Sequence, residues 1–402
     1  MLHIYQRVPS KISTIMITFD AGGRAEGKKF TPGLAHMLEH MVFKGTEKRS
    51  YLDIPREIGF LGGNFNAYTS QEMVCFHISV PYENVEAAMD VLSDIVFEST
   101  FPEEEFLKER EVVKEEELSS QDSVDSFIWD EFCKEFFEDR IAEPIIGTQE
   151  SISNFTVKEI KAFHKKFYKK SNAIVSYCGS RSKREAKGLL NKYFGRSSGK
   201  VTHNVPTFTP AYKDQRTKII TRPKLEHAYV WVCYPGRPIG VENEAAEDML
   251  FSILGQGMDS RLFTEVREKR GLCYSVSASA VGFRDYSATL IHSSTREENV
   301  EEMLELIDKE VLRIQNTCVT DEELERARNK YRAQTYSITE RSNSLARTNM
   351  SRAFFGLRSL EELEEEANSV TVQDIQRVAL ELFDKDKRLI LICKEEEKDV
   401  HD

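Results

Sequence analysis

The spacing of apolar and polar positions changes along the chain, and each change marks an element. Residues 12–19 (Ile-Ser-Thr-Ile-Met-Ile-Thr-Phe) are dominated by β-branched and apolar side chains and predict a strand, followed by the glycines at 22 and 23. Helical spacing takes over from about Pro32 and again over 51–59. After Gly62 and Gly63 the stretch 64–80 reads as strand, and two helical segments follow over roughly 83–98 and 102–118. A helix over 155–169 and a strand over 172–178, closed by Gly179, complete the first half.

The second half repeats the order. A strand over 227–234 runs into a turn at Pro235 and Gly236, and a helix begins near Asn243. Glu83-Asn84-Val85-Glu86 recurs as Glu298-Asn299-Val300-Glu301, an offset of 215 residues. The segment from Phe101 to Phe106 is echoed from Val319 to Leu324. A repeat this long means one duplicated domain and not a short-period solenoid. Strands and helices mixed within each half predict an α+β architecture. The boundaries expected are a first domain over 1–200, a polar linker over 201–224 and a second domain over 225–402.

Composition narrows the function. The chain has 402 residues, 40% of them hydrophobic and 30% charged, as in an ordinary globular protein. Its formal charge of −12 argues against nucleic acid, which needs a basic stripe to neutralise phosphates. Seven scattered cysteines without a C-x-x-C pair read as reduced thiols, mostly in the core, and place the expected compartment as cytoplasmic. The first residues show no basic-then-apolar signal pattern, and no apolar run approaches the ~20 residues of a membrane span, so no membrane partner is expected.

Against this background His36-Met37-Leu38-Glu39-His40 stands out. Histidines four apart on a helix share one face, with Glu39 on the same side and Leu34, Leu38 and Met41 on the opposite arc. A catalytic zinc takes three protein ligands and keeps a position for water, and Glu39 is placed to take that water's proton. A single histidine is usually structural. A pair at this spacing with Glu before the second arises by chance only roughly 0.02 times per chain of this composition.

A third ligand has to come from another element. The acidic segment 102–118 is mostly a solvated face, but Glu109 and Glu116 share an arc with Phe106, Val112 and Val113. Carboxylates on a core-facing stripe are costly unless paired or bound to metal. Glu105 falls near the same arc and stays open on this reasoning. The second half has Phe251, Ser252 and Ile253 near the place of the histidines and Ala333 and Gln334 near that of Glu116, so only one half carries a metal set.

The H-x-x-E-H order, within Gly33-Leu-Ala-His-Met-Leu-Glu-His-Met-Val-Phe-Lys-Gly-Thr46, resembles the pitrilysin family of zinc metallopeptidases, which includes the mitochondrial processing peptidase β-subunit and its bacterial half-length relatives. Glu109 to Glu116, Ile146-Gly147-Thr148 and Gly255 to Leu262 extend the likeness over nearly the whole chain. The resemblance implies two domains, each a mainly antiparallel sheet with helices packed on it. It implies Zn2+ held by His36, His40 and Glu116, with Glu39 as base and Glu109 supporting the site. Asn66 and Ala67 would line a cleft edge where a peptide substrate adds as a strand. Arg267 and Tyr274 would serve catalysis from an opposing domain, Arg267 on a substrate carbonyl and Tyr274 on the oxyanion. Short members of the family are clamshells that dimerise, which implies a homodimer or a heterodimer with a related chain. Members usually open with a strand, an Asn-Gly turn and a second strand. Only about ten residues precede the strand at Ile12, so the first strand is expected to be shortened or absent.

The function expected is therefore a zinc-dependent endopeptidase acting on extended peptides or unfolded segments inside a clamshell chamber. A non-catalytic scaffold of the same fold has no need of His36, Glu39, His40 and Glu116 together. A closed structural zinc site has no use for an adjacent base.

Overall fold

Each half of the chain gathers its strands into one five-stranded sheet. The computed structural model describes residues 1–138, 140–200, 203, 212, 216–240, 242–285 and 287–396. The first sheet comprises β1 (Leu2–Arg7), β2 (Ile12–Phe19), β3 (Asn64–Thr69), β4 (Val74–Pro81) and β5 (Ile174–Gly179), in the order β1-β5-β2-β4-β3. The second comprises β6 (Arg216–Arg222), β7 (Ala228–Pro235), β8 (Cys273–Gly282), β9 (Ser287–Thr295) and β10 (Leu389–Glu395), in the order β6-β10-β7-β9-β8. In each, only the first pair is parallel and every other pair antiparallel. The duplication inferred from the sequence is thus repeated in topology and strand direction.

The centre of the first sheet explains its sequence. Ile15, Ile17 and Phe19 of β2 point into an apolar core shared with the helices Leu34–Val42, Val85–Phe97 and Val157–Phe167. Thr14, Met16 and Thr18, on the other face, are equally buried. A strand covered on both sides loses the polar alternation of a half-exposed one, which is why 12–19 reads as almost continuous strand.

What covers that second face differs from the expected domain boundaries. Residues 337–356 belong with 1–207 in one unit, and 208–336 with 357–402 form the other. The helix Ser342–Phe355 packs on β2 and β5. The Ser342 and Thr14 hydroxyls meet at 3.2 Å, and Ser176 donates to the Ala346 carbonyl at 3.4 Å. A hydroxyl-lined sheet face needs hydrogen-bonding partners once buried, and this helix brings them.

Three further expectations are corrected. β1 is a full six-residue strand at the sheet edge, parallel to β5, and not shortened or absent. The stretch 64–80 is two strands, β3 and β4. Their turn is Ser70-Gln71-Glu72-Met73, closed by Ser70 N–H donating to the Met73 carbonyl at 2.8 Å, and it contains neither Gly nor Pro to announce it. Of the linker 201–224, residues 216–222 form β6, while 201, 202, 204–211 and 213–215 lie outside the described residues. All seven cysteines are thiols outside any disulfide, five of them buried. Among the described residues no helix is long and apolar enough to cross a membrane.

Candidate metal centre

The histidine helix, Leu34–Val42, owes its position to its two faces. Leu34, Ala35, Met37, Leu38, Met41 and Val42 are buried in the core, so His36, Glu39 and His40 turn outward together. Its first turn is braced by Glu26, whose carboxylate accepts N–H bonds from Gly33 (3.2 Å) and Ala35 (2.8 Å) and pairs with Arg140. Burial pushes the Glu26 carboxyl up to about 7, against the pull of those partners. Gly33 holds φ +90°, and a Cβ there would meet the Ile146 carbonyl oxygen at 2.4 Å, so glycine is required at this approach.

The acidic helix, Glu103–Asp122, packs beside it. Its buried positions are Phe106, Glu109, Val113 and Glu117. Val112 is half exposed, so the stripe is narrower than the sequence suggested and passes through Glu117, which accepts from the Gln149 amide at 2.6 Å. Glu105 pairs with Lys108 and takes no part in the cluster.

Glu116 reaches both histidines. Its Oε1 lies 3.8 Å from His36 Nε2 and its Oε2 lies 3.3 Å from His40 Nε2. One donor atom from each of His36, His40 and Glu116 falls within 4.8 Å of the others. A tetrahedral zinc with nitrogen and oxygen ligands at about 2.0–2.2 Å sets those ligands roughly 3.3–3.5 Å apart, so the donor set fits this ion with small side-chain adjustments.

The two histidines differ in protonation. Burial and the neighbouring His40 hold His36 down to about 4, leaving a neutral imidazole. Burial also lowers His40, but hydrogen bonds with Glu109 and Glu116 outweigh it and raise the ring to about 9. Glu109 accepts from His40 Nδ1 at 2.9 Å and pairs with Lys44 on its other oxygen. This contact holds the ring with Nε2 turned toward Glu116.

Glu39 sits beside this set with its carboxyl raised above the usual range by burial. The Thr69 hydroxyl donates to Glu39 Oε2 at 2.6 Å, leaving Oε1 for a proton. Thr69 is the last residue of β3, the outermost strand, which also carries Asn66 and Ala67. The Asn66 side chain accepts the Ala67 N–H at 2.8 Å. Residues 65–69 line one cleft of about 630 Å³ together with His36, Glu39, His40 and Glu116. The ring of Tyr68 lies under the Arg347 guanidinium at 4.6 Å, so the helix Ser342–Phe355 supports this strand as well.

A second recess of about 440 Å³ opens beside His36 and Glu116, with Trp129, Asp125, Asp130 and Glu143 on its walls. Burial pushes Asp130 up to about 6, with the nearby Glu131 and Glu117 adding to it.

Arg267 and Tyr274 lie in the second unit, the Arg267 guanidinium 5.2 Å over the Tyr274 ring. Tyr274 is 82% exposed. Arg267 belongs to a π-helical stretch, Phe263–Glu268; single π turns of this kind often occur at functional positions. Thr69, Lys44, Glu26 and Arg140 were missed by the sequence reading. Only Lys44 had a visible signal, its place directly after the histidine helix.

A helix-borne His-x-x-Glu-His set, joined by a carboxylate from a second helix on one half of a duplicated α+β frame, is the arrangement typical of inverted-motif zinc peptidases. Residues 3–149 match the family model described as Insulinase (Peptidase family M16), and residues 154–331 match that of the Peptidase M16 inactive domain. An uncharacterized zinc protease of Bacillus subtilis, YmxG, is 30% identical over 385 residues, covering 94% of this chain and 92% of that one. One from Streptomyces coelicolor is 30% identical over 399 residues, covering 97% and 86%. The solved structure of a protease from Helicobacter pylori superposes with a TM-score of 0.89 at 23% identity, covering 98% of this chain and 96% of that one. The chain belongs to peptidase family M16, the pitrilysin family.

Proposed function

We propose that this chain is a zinc-dependent endopeptidase acting on extended peptides or unfolded segments. The observation that carries this reading is the convergence of His36, His40 and Glu116 within 4.8 Å, in a cleft shared with Glu39 and an open sheet edge. Bound by these donors, zinc supplies Lewis acidity that polarises a carbonyl and brings the pKa of a water down to about 7. Glu39 Oε1 takes a proton from the attacking water and later delivers it to the leaving amine, while Thr69 keeps the carboxylate from rotating. A substrate strand lies against β3 and binds through its backbone, which tolerates many sequences. The carboxylates of the second recess favour a basic side chain near the scissile bond. By resemblance to the short members of the family, a second copy or a related chain supplies Arg267 for a substrate carbonyl and Tyr274 for the oxyanion. The name of the model matching 154–331 accords with the second unit, where the buried Phe251, Leu254 and Gly255 stand at the 215-residue offset from His36, Glu39 and His40.

The test is digestion of a fluorogenic peptide with and without a chelator. Hydrolysis should vanish on chelation and return with added zinc, and a Lys-containing peptide should be cut faster than its Glu counterpart. Turnover that persists in the metal-free protein sinks the reading.

Zinc binding should also release protons. His40 is protonated at pH 7 in the metal-free protein, since its pKa is raised to about 9, and a metal takes only the neutral ring. Zinc affinity should therefore rise about tenfold per pH unit between pH 7 and 8 and level off above about 9. Calorimetric titration in buffers of different ionisation enthalpy measures the proton count. An affinity flat across this range contradicts the His40 assignment.

A further inference from the structure

The two units differ at one place where their topology is the same. In the first unit the helix Lys183–Tyr193 follows β5 and packs over β1 and the helix Val85–Phe97. It buries Ala186 and Leu190 there and seals Val85, Met89 and Tyr177 from solvent completely. Its Lys192 ion-pairs with Glu86 at 2.7 Å.

Among the described residues, the second unit carries the same seat with no helix over it. At the 215-residue offset, Val300, Leu304 and Ile392 replace Val85, Met89 and Tyr177, and Glu301 replaces Glu86. Strand register puts Ile219 of β6 opposite Ile392, as Tyr5 of β1 is opposite Tyr177. Instead of a covered core there is an open groove of about 450 Å³, lined by Ile219, Val300, Leu304, Ile392, Glu301 and Glu305 among others. Ile219 is 54% exposed, and Val300 and Leu304 are half-buried where their counterparts are sealed. Among the described residues no lysine faces Glu301 as Lys192 faces Glu86.

An apolar seat whose rim carries Glu301 and Glu305, beside the Lys394–Glu297 ion pair, sets the chemistry of what fits it. The first unit shows such an occupant: a three-turn amphipathic helix, apolar on one side, with a lysine near its C-terminal end. The residues at the matching offset begin at Lys398 and lie outside the described residues.

We propose that the groove between β6 and the helix Val300–Asn316 is the docking site for a cationic amphipathic helix of a partner protein. The partner's apolar face covers Ile219 and Leu304, and its lysine or arginine pairs with Glu301 and Glu305. The surface lies wholly within the unit that lacks the metal residues, and it is independent of the peptidase reading.

The test uses the full chain and a fluorescent peptide with the sequence of residues 182–194 as the probe, read by anisotropy. Saturable binding is expected, absent for a scrambled peptide. Ile219→Lys, a change at an exposed position, should weaken binding at least about tenfold. Glu301→Lys should weaken it about two- to fivefold, and a peptide with Lys192→Glu should restore that loss. No saturable binding by the wild-type chain overturns the proposal, as does equal binding by the Ile219→Lys variant. Binding that appears only after deletion of residues 397–402 also overturns it, because the chain itself then fills the groove.

Discussion

Glu39→Gln should lower peptide hydrolysis by about 10²–10⁴-fold, the usual worth of general acid–base catalysis, and leave zinc content unchanged. The separation of the two effects follows from the geometry. Glu39 is not one of the three donors that converge, and its Oε2 is held by the Thr69 hydroxyl. Glutamine keeps the side-chain volume and still accepts the Thr69 hydrogen bond, but it cannot take a proton. Metal analysis beside the kinetic assay checks both halves. A variant with near-normal turnover would show that another group is the base. The same variant tests the composite site, because a Glu39→Gln chain paired with a Tyr274→Phe chain should recover part of the activity in verified heterodimers. No recovery there removes the intersubunit arrangement and leaves the zinc chemistry standing.

The second large effect is expected at the carboxylates of the acidic helix, and it is an ordering. Glu116→Gln takes away a direct donor, since Glu116 reaches both histidines. Glu109→Gln takes away only the partner of His40 Nδ1 and of Lys44. Loss of such an outer partner typically costs about 10–100-fold in metal affinity, so Glu109→Gln belongs in that range and Glu116→Gln beyond it. Competition against a chromophoric chelator ranks them. If Glu116→Gln binds zinc as tightly as the unaltered chain, the third ligand has been misassigned.

Local periodicity made the histidine helix legible. Three side chains at i, i+3 and i+4 fall on one face of any helix, and the apolar residues between them must fall on the other. The duplication was legible for a similar reason, because a repeated segment shows itself wherever it folds. The turn at Ser70 was not, since side-chain hydroxyl bonds replace the Gly or Pro that would have marked it. The full β1 strand was also out of reach. Its six residues become a strand by pairing with β5, which lies some 170 positions away.

By itself, the sequence determined the motif, the acidic helix that had to supply a third ligand, and the presence of one metal set in two copies of a domain. These rest on contacts within a few turns or on self-similarity, and neither depends on long-range packing. Residue pattern alone left Glu105 open beside Glu116 and the resemblance pointed to Glu116; the tertiary structure is what brings Glu116 to the histidines, Glu109 to His40 Nδ1 and Thr69 to Glu39. It also decided that Ser342–Phe355 crosses to the first sheet. The physical reason is the same in each case. Which of several equivalent carboxylates or hydroxyls becomes functional depends on the angle at which two elements pack, and that angle is set by burial summed over residues far apart in the chain.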